Sequence, residues 1–219
     1  MKLIPISIRS AADKVYFSRF WKKMIKKGVC MMSYQKFWEQ IGKHNDELVS
    51  LYKSYWSGYS NMGDWQFWAT LLLFIFPLIV VYFAVDKKRI FELFFFGFVV
   101  HLLWTYIDIT LGRLGLFTHH YFLMPILPNA TTMTASVLPV SFLLLYQYCT
   151  NHQKNFYVYT LILSSIFAFG FASFERVIGF ISLGKGMHLY HVFMIDVGIV
   201  YISYWFTKFI IGLREKAEE

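Results

Sequence analysis

Charge is scarce in this chain. Only 16% of its 219 residues are Asp, Glu, Lys or Arg, where soluble domains carry roughly a quarter. Cysteine is scarcer still: the two present, Cys30 and Cys149, imply no disulfide framework. No HExxH or comparable metal spacing occurs, so no metal and no other cofactor is expected. Phosphate-binding glycine loops and nucleophile elbows are absent as well, which removes nucleotide hydrolysis and serine-hydrolase chemistry from the main candidates. The apolar stretch at residues 3–8 is too short for the core of a secretion signal, so a cleavable leader is not expected.

What the chain has instead is apolar surface, 57% hydrophobic residues with 21% aromatic. The charges collect in residues 1–64, in short runs between apolar stretches, and at the C-terminal end. That is the distribution demanded when the solvent is lipid rather than water. The net charge of +8 is spread over tails and loops. It suits anionic headgroups, at about 1 kcal/mol for each Lys or Arg near the surface, better than nucleic acid. The expected partner is the lipid bilayer, with a protein partner or a second copy of the chain as further candidates.

The pattern specifies an all-α polytopic membrane bundle of about five transmembrane helices behind an N-terminal amphipathic helical tail. Residues 1–64 form the tail. In residues 14–27, Phe17, Phe20, Trp21 and Met24 recur at helical spacing, while Arg19, Lys22, Lys23, Lys26 and Lys27 fill the other faces. Such a helix lies in a membrane interface, with Arg19, Trp21, Lys22, Lys23, Lys26 and Lys27 as its surface-binding residues. Ser33 is placed to cap a second helix reaching to about Tyr55, and the turn-rich segment 57–64 ends it. Spans follow at 65–85, 91–111, 133–149, 156–183 and 188–211, inside a transmembrane domain of residues 65–213, with a polar tail at 214–219. All reach at least the lower end of the roughly 17–25 residues that cross about 30 Å of hydrocarbon, the third being short. A sixth crossing would require residues 112–132 to span, and their apolar middle is too short.

Orientation follows the Lys and Arg of short loops. Lys87, Lys88, Arg89, Lys154, Lys208, Arg214 and Lys216 fall on one side, which places the N-terminus outside. The basic tail favours the opposite arrangement.

Ionisable residues inside spans are costly, about 2.5–3.5 kcal/mol each on insertion scales, and mark candidate sites. His101, Thr105 and Asp108 share one face of the second span at about 100° per residue. Thr160, Ser164, Ala168, Ala172 and Glu175 share a face of small residues in the fourth, the kind of face on which membrane helices approach closely. Asp196, Ser203 and Thr207 align in the fifth. Alternating crossings send Asp108, Glu175 and Asp196 toward one side of the membrane. There His119, His120, His188 and His191 also emerge, so Asp108, His101, Glu175, Arg176 and Asp196 define a candidate polar cleft. The structural alternative pairs Asp108 with Arg113, and Glu175 with Arg176 or Lys185, as ion pairs near helix ends.

From about residue 39 onward the chain resembles a family of small membrane proteins of uncharacterised function common in spore-forming Gram-positive bacteria. The likeness is carried by DELVSLYKSYW, by Val85-Asp86-Lys87-Lys88-Arg89 with the following IFELFFFGFVV, by Asp108, by LMPILP, by SVLPVSFLLLYQY and by the glutamate of the fourth span. The resemblance implies an integral membrane protein and no particular activity. A fainter likeness, to lycopene-cyclase-type membrane domains, lacks their signature acidic motif and remains an analogy.

Together these features suggest a multi-pass plasma-membrane protein acting as a non-enzymatic structural, sensory or partner-binding component. The alternative is an intramembrane enzyme acting on a lipid or isoprenoid, with Asp108, Glu175 and Asp196 as acid–base groups and His101 supporting Asp108. A proton-coupled transport subunit is the third reading.

Overall fold

The computed structural model describes residues 33–184 and 186–218. The basic helix expected at residues 14–27, with Arg19, Trp21, Lys22, Lys23, Lys26 and Lys27, lies outside the described residues. The chain divides into a unit ending at Leu48 and a second running from Val49 to Glu219. Helix α1 (Tyr34–Tyr59) begins after Ser33, whose side-chain oxygen accepts from Lys36 N at 3.4 Å, and it ends later than the turn residues suggest. In the second unit, Ser60 closes this helix by donating to Phe122 O and accepting from Phe122 N, both at 3.1 Å.

Five stretches are long and apolar enough to cross a membrane: Trp65–Ala84, Lys87–Arg113, Met133–Asn151, Phe156–Val177 and Leu189–Ala217. The architecture is an all-α helix bundle, that of a multi-pass membrane protein. Its helices are α2 (Trp65–Ala84), α3 (Ile90–Arg113), α4 (Leu138–Asn151), α5 (Phe156–Ser165), α6 (Ala172–Val177) and α7 (Leu189–Glu218). Two π-helical segments complete the spans: Met133–Val137 leads into α4, and Ile166–Phe171 joins α5 to α6. Pro77 sits within α2 without ending it.

The span expected to reach residue 183 stops at Val177, and the cause is a glycine. Gly179 adopts φ +80°, a left-handed conformation open to a residue without Cβ. Phe180 N then donates to Glu175 O at 2.7 Å and Gly179 N to Arg176 O at 3.2 Å. This is the Schellman arrangement that satisfies terminal carbonyls. Helix α3 ends in the same way at Gly115, φ +63°, with Leu116 N bonded to Leu111 O and Gly115 N to Gly112 O, each at 2.9 Å.

Each helix end feeds a short strand, β1 (Phe117–His119) and β2 (Ile181–Leu183). They pair antiparallel with Phe117 opposite Leu183 and His119 opposite Ile181. This ribbon was not expected from the sequence, which reads Ile181–Leu183 as the end of an apolar span. At the other end, α7 continues as helix through residues expected to form a polar tail.

Alternating crossings give the bundle two ends. The ribbon and residues 114–132 lie at the loop end; the turn at Lys87–Arg89 and the connection after Asn151 lie at the other, the turn end. The turn end is tied by charge-assisted bonds. Arg89 donates to both oxygens of Glu92 (2.7 and 3.0 Å), to Thr150 Oγ1 at 2.8 Å and to Asn151 Oδ1 at 2.7 Å. Tyr146 OH also donates to Glu92. Beneath this staple the rings of Phe96 and Tyr146 stack at 4.8 Å and those of Phe156 and Tyr204 at 4.5 Å. Glu92 is thus fully engaged in holding α3 to α4, where bidentate Arg–carboxylate geometry is at its strongest.

The ribbon depends on a close backbone approach: a Cβ at Gly184 would lie 2.5 Å from Gly115 O. Gly184→Ala is therefore expected to lower stability by about 1–3 kcal/mol, the usual cost of forced overpacking. Thermal unfolding of the detergent-solubilised protein, followed by tryptophan fluorescence, checks this. An unchanged midpoint would mean that the ribbon is not held this tightly.

Candidate functional site

Asp108 comes late in α3, Glu175 late in the fourth span and Asp196 early in α7, so each lies toward the loop end. The structure brings all three to one cavity, lined also by Trp104, His119, Met133, Thr134, Phe167, Ala168 and Val192. Its volume is about 40 Å³, room for about three water molecules. A smaller cavity of about 20 Å³ adjoins it toward the loop end, shares His119, Glu175, Ala130 and Met133 as walls, and reaches Tyr121, Asn129 and Phe180. Through these shared walls the two cavities extend from the buried acids toward the loops.

Each acid has a different environment. Asp108 (7% exposed) has Oδ1 3.2 Å from His119 Nε2, within hydrogen-bond reach. The β1–β2 register places His119 there, and the Phe117 and His119 rings meet in an edge-to-face arrangement at 4.7 Å. Asp196 (2% exposed) accepts from Trp104 Nε1 at 2.8 Å through Oδ1. Ser164 Oγ approaches the Asp196 carboxyl without reaching full hydrogen-bond geometry, and Oδ2 is buried with no other polar partner among the described residues. Glu175 (6% exposed) faces His119 across the cavity and makes no side-chain hydrogen bond among the described residues.

Both π-helical segments supply cavity walls, Met133 and Thr134 from one, Phe167, Ala168 and Phe171 from the other. A π turn inserts a residue into the helical ladder and re-aims the side chains around it, and such turns concentrate at functional sites. The small face expected in the fourth span packs against α7, and Thr160 and Ser164 are fully buried there.

The remaining candidates are placed elsewhere. His101 does not contact Asp108; its Nδ1 bonds to Thr134 O at 2.8 Å, and it lines a separate groove. Arg176 is exposed and contributes nothing to the cavity wall. Asp108 turns to His119 rather than to Arg113, which is exposed. His188 and His191 bond to one another at the start of α7, outside the cavity lining. Among the described residues no group of three or more His, Cys, Asp or Glu has the geometry to hold a metal ion. The partner roles of His119 and Trp104 were not legible in sequence, because each depends on a neighbour distant in the chain.

Beside His119, His120 is half-buried in the loop, and its backbone N donates to Phe180 O at 2.8 Å. Burial, and after it the neighbouring His119, holds its imidazole below the ordinary value of 6.5. The unfolded chain therefore takes up this proton at a higher pH than the folded one. The stability contributed is complete above the unfolded value and is lost as pH falls toward the folded one. His120→Asn is expected to flatten the decline in thermal stability between about pH 7 and pH 5. A variant with the same pH slope as the parent would contradict this.

Compared with protein-family models, curated proteins and solved structures, the chain shows no match.

Proposed function

We propose that this is a plasma-membrane protein of the small five-span family it resembles, and that it acts as a non-enzymatic sensor. In this reading the carboxylate–histidine cavity binds and releases protons from the loop side of the bilayer. The observation that carries the proposal is the gathering of Asp108, Glu175, Asp196 and His119, drawn from three spans and one loop, around a space large enough only for a few waters. Intramembrane acids that face the bundle interior are characteristic of proton relays.

Two features favour sensing over passage across the membrane. Beyond Asp196, the buried hydroxyls of Ser203 and Thr207 donate to carbonyls of their own helix. Aromatic stacking fills the bundle toward the turn end. Proton access is therefore from one side. The sensing residue is also linked to an output. His119 precedes Phe122 and Leu123 in one short segment, and these hold the end of α1 through Ser60 and through Trp56 Nε1, which donates to Leu123 O at 3.2 Å. A change in the contact between Asp108 and His119 would bear directly on that clasp. The cavity volume speaks against the enzymatic alternative at this site, since a lipid or isoprenoid substrate would not enter 40 Å³ without a rearranged wall.

Infrared difference spectroscopy of the protein in lipid nanodiscs, titrated between about pH 5 and pH 8, tests this reading. Protonated-carboxyl bands are expected to change with pH. Glu175→Gln and Asp196→Asn should each alter those bands while the protein stays folded. If no carboxyl band titrates across that range, the site is structural and the sensing role fails.

A further inference from the structure

A second site is built around His101, and it begins with a missing hydrogen. In a regular helix Thr134 O would accept from Leu138 N, but across the π turn Leu138 N donates to Met133 O. The next residue, Pro139, has no N–H to offer. Thr134 O is thus left without a backbone donor inside a membrane span, where an unpaired carbonyl is costly. His101 supplies the donor: its Nδ1 lies 2.8 Å from Thr134 O, with Thr105 Oγ1 at 3.3 Å from the same nitrogen. Because the carbonyl can only accept, the proton is on Nδ1. The neutral ring therefore carries its lone pair on Nε2, the ring's one remaining polar atom.

His101 lines a groove of about 190 Å³ between α2, α3 and the start of α4. Its other walls are apolar, among them Phe94, Phe98, Ala135 and Pro139. Phe94 and Phe98 are 48% and 58% exposed on a membrane-spanning helix, so the groove opens to hydrocarbon rather than to water. It is several times larger than the acid cavity and shares no lining residue with it.

We propose that this groove binds a membrane-soluble alcohol, a long-chain or isoprenoid alcohol, whose hydroxyl donates to His101 Nε2 while its chain lies along the apolar walls. The tautomer sets the chemistry, because an acceptor on the protein requires a donor on the ligand. Depth narrows it further. His101 lies near the middle of Lys87–Arg113, so the ligand's polar group must sit well inside the bilayer. A lone hydroxyl can do so, whereas a charged phospholipid headgroup cannot leave the interface. This site stands independently of the proton-sensing reading.

The test uses the full chain in phosphatidylcholine nanodiscs and two photo-reactive probes, a diazirine-bearing long-chain alcohol and its methyl ether. The alcohol should cross-link to peptides carrying Phe94, Phe98 and Pro139 about fivefold more than the ether, the difference made by one neutral hydrogen bond. His101→Leu should abolish the preference for the alcohol, and Ala135→Trp, which fills the groove, should reduce labelling by both probes. Equal labelling by alcohol and ether in the unaltered protein would overturn the proposal, and this comparison does not depend on any variant folding. Undiminished alcohol labelling in folded Ala135→Trp would overturn it as well.

Discussion

Hydrocarbon offers no partner to a backbone N–H or carbonyl, and the rest of this structure follows from that constraint. Where the spans are regular, the helical ladder meets it. Every informative feature of the molecule lies where the ladder is interrupted and another group takes over. At the ends of α3 and α6, left-handed Gly115 and Gly179 turn the chain back so that terminal carbonyls are met by the following amides. At the start of the third span, a π turn and Pro139 release Thr134 O to His101. Ser136 Oγ in the same turn donates to Phe74 O at 2.6 Å, pinning the irregular segment to α2.

These interruptions are also what make a cavity. Regular helices meeting along small faces would close the bundle, as Thr160 and Ser164 do against α7. The two π-helical segments instead displace side chains around Asp108, Glu175 and Asp196, and the ribbon between the helix ends delivers His119 above them. The acids keep few partners: one oxygen of Asp196 has no well-formed hydrogen bond, and the Glu175 side chain makes none among the described residues. Buried groups left in that condition cost free energy that a purely structural role gives no reason to retain. Glu92 shows the contrast. It is equally an acid within a span, yet Arg89 and Tyr146 engage it completely, and it serves as a staple.

Much of this was legible in the residues. Apolar runs bounded by charged turns located the five spans, and crossing parity with helix phase placed Asp108, Glu175 and Asp196 toward one side. Local periodicity could not reveal the ribbon, because Ile181–Leu183 is as apolar as the helix before it; only the positive φ of Gly179 separates the two. The pairing of Asp108 with His119 depends on strand register, and the link from Trp104 to Asp196 on how α3 meets α7. Helix phase put His101 on the same stripe as Asp108, but a π turn in a neighbouring span claimed it first. That competition arises from Pro139, which has no N–H to give to Thr134 O.

The most direct test of the account is sidedness. With Cys30 and Cys149 replaced by serine, a single cysteine is introduced at Lys88 or at His120 and exposed to a membrane-impermeant thiol reagent in intact cells and in inverted vesicles. Five crossings put the turn at Lys88 and the loop that carries His120 on opposite sides, so each preparation should label one position and spare the other. Labelling of both from the same side would remove the common end at which the acids are gathered, and the cavity with it.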